Sequence, residues 1–389
     1  MSRPILLCTV GTSLIYPNLI GLRKSLADDA NKPEEKRAFK PTILPAVQKL
    51  ADAYDQKDWQ AVGEALAEIP SSERLCGAEV NSIHSLIQHN YASKDCGIYF
   101  LHSDTDDGRN IVQALTRLFT LKGHSPVRGL PVTDLQDQDP KRFRTKGLRN
   151  LAKVLCGKIR EHSASACAIN ATGGYKAQIA VGVLLGQSLG VPVYYMHERF
   201  SEIIAFPPMP VALDFEFWME HSGLLQQLDK DFVKKADFAE NWSEKLETLV
   251  DQEVENGIEY ICLSATGQIF HETFRERFRS QKDQVLPPPA QKKLEPVLHD
   301  HGVIKKLEAE LLRYLNAVTQ EVPCVTRCVT NYCNPDLPAR NLFRRSADHI
   351  EGIYSDGSQT VKFRVETTAQ TKGQQNAAIA ALNEWLESR

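Results

Sequence analysis

The chain lacks any apolar run of the roughly 20 residues that a membrane-spanning helix needs. The N-terminal run MSRPILLCTV ends at Gly11, Thr12 and Ser13, too early for a span or an export signal. It lacks an excess of charge: 46 Lys and Arg stand against 49 Asp and Glu, a net charge of −3. No overall basic field marks a nucleic-acid binder, so any such surface must be local. It lacks a disulfide framework. Nine cysteines are an odd number, and Cys8, Cys156, Cys167 and Cys262 sit inside apolar runs as small hydrophobes. That usage predicts a reducing, cytoplasmic setting. Cys324, Cys328 and Cys333 lie close together without zinc-ribbon spacing, and no metal is expected. Walker A, HExxH and EF-hand patterns are missing too, as is a GxGxxG after the first strand.

What is present is an ordinary globular mixture, 42% apolar and 24% charged over 389 residues, enough for two or three domains. Residues 1–210 alternate strand and helix patterns. Short apolar runs predict strands at Pro4–Val10, Gly97–His102, Val127–Val132, Ala166–Ala171 and Val191–Met196. Helical spacing predicts Arg109–Lys122, Lys141–Ile159 and a helix after Gly174 carrying Ile179, Val183, Leu184 and Leu185. Such alternation implies a mostly parallel α/β sheet covered on both faces. Residues 33–91 read as a helical insertion.

Two loops follow strands where open parallel sheets bind ligands. One is Gly11-Thr12-Ser13-Leu14. The other is Asn170-Ala171-Thr172-Gly173-Gly174-Tyr175-Lys176, leading into a helix whose N-terminus suits an anion. Ser103–Arg109 forms a third loop on the same side. From the residues alone, phosphate binding and a plain capped turn are evenly matched. TVGTSL and INATGGYKAQIA, with FLHSDTDDGRN and FRTKGLRNL between them, resemble the CARF domain of CRISPR-associated effectors. That resemblance implies a Rossmann-like fold, a homodimer, and a cyclic oligoadenylate, commonly cyclic tetra-adenylate, bound across the two-fold axis. It assigns the ligand to Gly11, Thr12, Ser13, Asn170, Thr172, Gly173, Gly174 and Lys176. Some CARF domains also cut their ligand, for which Thr12, Ser13 and Lys176 would serve. Plain binding is the favoured expectation, because no His or carboxylate joins the loops in the sequence.

Residues 213–260 hold thirteen Asp and Glu against four Lys, a local balance of −9. They read as exposed helix with Trp218, Leu224, Leu225, Phe232 and Trp242 as occasional apolar anchors, an acidic adaptor that could offer a protein-binding surface. A hairpin is expected over Tyr260–Phe270, turned at Ala265-Thr266-Gly267, and Pro287-Pro288-Pro289 marks a linker. Beyond it, Val303–Val318 has helical spacing, and Gln375–Leu386 forms a closing helix.

Between these helices, Asp356-Gly357 signals a tight hairpin. With those two as the central turn residues, Glu351 faces Lys362 and Tyr354 faces Gln359. His349, Glu351, Lys362 and Arg364 then share one face, and Ile350, Tyr354, Val361, Phe363 and Val365 the apolar other. Arg340, Arg344 and Arg345 lie just upstream. Metal-free RNA cleavage needs a base, cations for the phosphate and an acid; a solvated face with a cross-strand ion pair has the same composition. The region from residue 295 resembles the RelE family of ribosome-dependent mRNA endonucleases, carried by NLFRRSADHIEGIYSDGSQTVKFRV. By residue type this implies Lys362 as base or charge stabiliser and Arg344 and Arg364 on the phosphate. His349 or Tyr354 would be the acid, with Arg340 and Arg345 as further cations. Two rivals remain. Arg344 and His349 also fit the spaced Arg–His pattern of helical HEPN ribonucleases, the commonest CARF partners. Residues 244–280 offer a helix, a hairpin and a basic helix (Arg275, Arg277, Arg279, Lys282), as in a CARF-regulated winged-helix regulator.

The resulting expectation is a CARF sensor over 1–210, an acidic adaptor over 211–294 and a small α+β RelE-like domain over 295–389. Its expected partners are a cyclic oligoadenylate, mRNA, the ribosome and a second copy of the chain.

Overall fold

A computed structural model describes residues 2–136, 138–197, 202–209, 213–299, 308–334, 339–357 and 359–389. Two compact units divide the chain: Met1–Val211 with Ser264–Ile269, and Ala212–Leu263 with Phe270–Arg389.

The first unit opens with β1 (Arg3–Thr9), α1 (Leu22–Ala30), α2 (Leu44–Asp55), α3 (Trp59–Glu68) and α4 (Ala78–Gln88). There follow β2 (Ala92–Ser103), α5 (Asp106–Leu121), β3 (Val127–Val132), the one-turn α6 (Pro140–Arg142) and α7 (Leu148–His162). Then come β4 (Cys167–Asn170), α8 (Lys176–Leu189), β5 (Val193–Met196) and β6 (Ile203–Phe206). The sheet order is β3-β2-β1-β4-β5-β6; β6 alone runs antiparallel to its neighbour. The central stretches Leu6–Thr9, Cys96–His102 and Cys167–Asn170 are buried and largely apolar because both sheet faces are covered there, whereas the outer strands β3 and β6 are partly exposed. Leu6 and Cys8 join the cluster under α2–α5, and Leu7 joins the one under α7 and α8. The helical insertion is α2–α4. Asp58 caps α3 by accepting from the Gln60 and Ala61 N–H groups. Ile111, Val112, Leu115, Leu118 and Phe119 of α5 are all buried, whereas Leu184 of α8 is 49% exposed.

In the second unit, α9 (Phe215–Lys230), β7 (Val233–Lys234), α10 (Glu244–Glu247), β8 (Val250–Glu255) and β9 (Ile258–Leu263) precede α11 (Ala265–Val285), whose first turn counts with the first unit. After α12 (Glu308–Glu321) come β10 (Val325–Asn334), β11 (Leu342–Ser346), β12 (His349–Ser355), β13 (Thr360–Thr367) and α13 (Lys372–Glu387). Two sheets result, β7-β9-β8 and an antiparallel β10-β13-β12-β11. Ile304 and Leu307 of the expected helix lie outside the described residues; α12 continues it to Glu321.

Two sequence expectations fail in this unit. The acidic segment is not an exposed helix. Trp218, Met219, Leu224, Leu225 and Leu228 of α9 are buried with Leu342, Ile353, Ala377 and Ala380. The anchors Trp218, Leu224 and Leu225 belong to a continuous buried stripe, and its acidic neighbours cap and pair: Asp214 accepts from the Phe217 N–H, and Glu220 pairs with Arg345 and Lys372. The expected hairpin is also displaced. Ala265-Thr266-Gly267 begins α11, and the turn lies earlier, at Asn256 and Gly257, both with positive φ.

Both edges of the four-stranded sheet are covered. On β11, the Asn383 side chain accepts from the Phe343 N–H and donates to its carbonyl, both at 2.9 Å. Along β10, the chain after the three prolines lies beside the strand. Leu294 N–H donates to Thr326 O, Val297 N–H to Cys328 O, and Thr330 N–H to Val297 O. Unpaired edges invite strand addition, and these contacts occupy part of each edge. Among the described residues no helix is long and apolar enough to cross a membrane.

Candidate functional site

Each unit carries one candidate site. In the first, the two glycine loops meet. A Cβ on Gly11 would come within 2.6 Å of the Gly174 N, so only glycine permits the approach. Thr9 Oγ1 donates to Gly173 O at 2.5 Å and ties β1 to the second loop. Asn170 and Thr172 serve as internal struts. Asn170 Nδ2 donates to Ser82 Oγ, Thr172 Oγ1 donates to Asn170 Oδ1 at 2.6 Å, and Met196 N–H donates to Thr172 Oγ1. Thr12 and Lys176 are exposed. Lys176 opens α8, whose N-terminus has no side-chain cap and no acidic residue in its first turn. Such a terminus favours an anion. Phe143 meets Tyr175 edge-on at 5.2 Å, which brings the basic 141–146 stretch to this loop. The third loop is occupied with capping α5: Thr105 Oγ1 accepts from the Gly108 N–H, and Arg109 holds Asp104 and Asp106.

A carboxylate does join the loops, against the sequence expectation. Glu79, 1% exposed at the start of α4, accepts from the Gly11 N–H at 2.7 Å and from the Ser13 hydroxyl at 3.2 Å. A Cβ on Gly173 would stand 2.2 Å from the same Glu79 oxygen. Two donors assigned to the ligand are therefore held by Glu79 here. Glu79 arrives from the insertion, 68 residues from Gly11, and no local pattern announces it. Burial is the largest influence on its carboxyl and raises its pKa, only partly offset by the Gly11 and Ser13 bonds; the nearby Cys8 thiol is likewise raised by burial. Because the folded pKa exceeds the unfolded one, the folded state binds the proton more tightly. Stability from this group is full below the ordinary carboxylate pKa and is lost as pH rises through the raised value. Glu79→Gln is expected to flatten that fall, so its melting temperature gains on the parent's as pH rises above the ordinary carboxylate range; parallel profiles in a thermal melt series would contradict this.

The second site is the polar face of the four-stranded sheet. The face assignment from the sequence holds, but the register differs by two residues: Glu351 stands opposite Arg364, and Lys362 opposite Ile353. The loop spans four residues, 356–359, because side chains build it. Gln359 N–H donates to Asp356 Oδ1, and Ser355 Oγ donates to Gln359 O. A shift of two keeps every side chain on its face.

Glu351 is the centre of the cluster. Its side chain is 8% exposed, and Arg344 Nε and a terminal nitrogen reach one of its oxygens at 3.0 and 2.9 Å. Lys362 Nζ lies 3.9 Å from that oxygen and 5.6 Å from the centre of the Tyr332 ring. Arg364 is exposed and makes no hydrogen bond or ion pair among the described residues. His349 opens β12 on the same face, 3.2 Å from Asp348. Three cations around one carboxylate leave a local excess of two positive charges, suited to a phosphate.

The other candidates lie elsewhere. Tyr354 is buried on the opposite face against Tyr314, its phenol pushed up to about 12 by burial and by its bond to Glu310. Arg345 is held by Glu220, Gln375 and Asn376, and Arg340 pairs with Asp231 at 3.6 Å. Arg344 and His349 lie on strands, so the helix that a HEPN site requires is missing there. On α11, Arg275, Arg279 and Lys282 pair with Glu384 and Glu387 of α13, and Arg277 stacks on Phe215. That leaves no free basic face of the kind a DNA-reading helix presents. Burial pushes the Cys324 and Cys328 thiols up to about 11 and about 12.

Residues 74–209 match the model of a family described as CRISPR-associated protein (Cas_APE2256). No curated protein matches the chain. Among solved structures, the crystal structure of protein VC1899 from Vibrio cholerae aligns over 74% of this chain and 74% of that one. The identity is 11% and the TM-score 0.24.

Proposed function

We propose that the chain is a ligand-controlled endoribonuclease of CRISPR defence. The first unit senses a cyclic oligoadenylate, cyclic tetra-adenylate foremost, as a homodimer, and the second unit cuts mRNA on the ribosome in the RelE manner. The observation that carries the nuclease reading is the Arg344–Glu351–Lys362 cluster beside the exposed Arg364 on one sheet face. Those side chains supply charge for the phosphorane-like intermediate and leave a partly exposed His349 for proton transfer. The similarity of residues 74–209 to a CRISPR-associated family supports the setting. On the sensor side, exposed Thr12 and Lys176 and the uncapped α8 terminus supply the anion contacts. Ligand control requires tighter binding to the active arrangement than to the inactive one. Helix α11, shared between the units in sequence, is the element to carry it.

The test is RNA cleavage by the purified chain in EDTA, with and without cyclic tetra-adenylate and ribosomes. Cleavage that needs the ligand, survives EDTA and rises with ribosomes is the expected result. Cleavage that requires a divalent ion, or none under any condition, would overturn it.

A further inference from the structure

Strand β10 falls out of step with β13 twice, between Val325 and Arg327 and again between Thr330 and Tyr332. At the second shift Asn331 is the extra residue. One extra residue reverses the facing of everything beyond it, and such bulges commonly re-aim a side chain beside a functional site. Had the register run on, Asn331 would stand opposite Lys362 and Tyr332 opposite Val361, in the apolar layer. Instead Tyr332 stands opposite Lys362, and Cys333 opposite Val361. Tyr332 is 41% exposed, with Lys362 Nζ 5.6 Å from its ring centre. Arg364, exposed, is the next residue of β13 on that face, opposite Val329. The bulge thus keeps an aromatic ring out of the core and sets it among the cations of the candidate nuclease face.

We propose that Tyr332 is the base-stacking platform of this face: one nucleobase of a single-stranded RNA lies on its ring while Lys362 and Arg364 hold the adjoining phosphate. This rests on the RNA reading of the same face and adds where the base is held. Aromatic rings bind bases of single strands with little regard for sequence, because every base offers a flat face. A cation beside the ring fixes the backbone, as in other single-strand binders that pair aromatic residues with a basic track.

The test is binding of a fluorescent 2′-O-methyl oligonucleotide, which cannot be cut through its 2′-oxygen, by the full-length protein. Tyr332→Ala is expected to weaken binding about ten- to a hundred-fold. Tyr332→Phe is expected to match the parent, since stacking needs the ring and not the hydroxyl. An oligonucleotide with an abasic site at the stacked position should bind the parent weakly and lose nothing further with Tyr332→Ala. Parent-like binding by Tyr332→Ala, or weak binding by Tyr332→Phe, would overturn the platform while leaving the RNA reading in place. Absence of binding by the parent protein, with cyclic tetra-adenylate present and also with the oligonucleotide held on ribosomes, would overturn both.

Discussion

RNA cleavage by the Lys362→Ala, Arg364→Ala double variant is expected to fall at least about 100-fold, the scale of losing one well-placed donor to a developing anion. Thermal stability should barely move. Arg364 is exposed without a hydrogen bond or ion pair among the described residues, and Lys362 reaches Glu351 only at 3.9 Å, with its side chain 29% exposed. At 3.9 Å this contact is at the outer limit of an ion pair and adds little beside the two shorter Arg344 bonds to the same oxygen. Glu351 keeps both Arg344 bonds in the variant, so the sheet face is not left with an unpaired charge. Initial rates on a ribosome-bound message, beside a melting curve, separate chemistry from folding. Undiminished cleavage with an unchanged melt would remove this face as the nuclease site.

Arg344→Ala is expected to do the reverse first, destabilising the second unit by about 3 kcal/mol, the lower end for breaking a buried ion pair. Arg344 and Glu351 side chains are 14% and 8% exposed, and truncating the arginine strands the carboxylate next to buried Ile350 and Ile353. Lys362 tempers the cost by its weaker contact. The double replacement Arg344→Met, Glu351→Leu should recover most of the loss, because replacing a whole buried pair by apolar residues of similar volume is often neutral or stabilising. Denaturant unfolding of the parent and the two variants checks the ordering; equal stability of Arg344→Ala and the parent would show that the pair contributes nothing.

How far the sequence foretold this molecule depended on whether neighbours in the chain are neighbours in space. Strand β3 is Val127–Val132, as its apolar run predicts, and the buried stripe of α5 follows its helical spacing residue by residue. Strand alternation placed His349, Glu351, Lys362 and Arg364 on one face even though the partner assignment slipped by two. That slip came from Ser355 and Asp356, whose side chains lengthened the turn. The true β8–β9 turn, Asn256-Gly257, is a strong hairpin pair in the sequence, yet the charge around it drew the reading toward an exposed helix. Glu79 was out of reach for a different reason. It meets Gly11 and Ser13 only after an entire helical insertion has folded, and a glutamate at the start of a helix looks like any other. The α9 stripe was legible as spacing but was outweighed by a sum over charges.

The covered edges of the four-stranded sheet bear on modularity. Residues 290–297, the stretch that reads as the end of a linker, bond along β10, and Gln226 and Gln227 of α9 reach the Asn383 and Asn341 carbonyls around β11. A chain cut at residue 294 would not release a self-sufficient domain. It would strip one rim of part of its backbone partners and bare Leu342 and Ile353, which pack with the apolar stripe of α9. Moving this sheet into another chain would therefore require its flanking residues to come along, or a replacement for them.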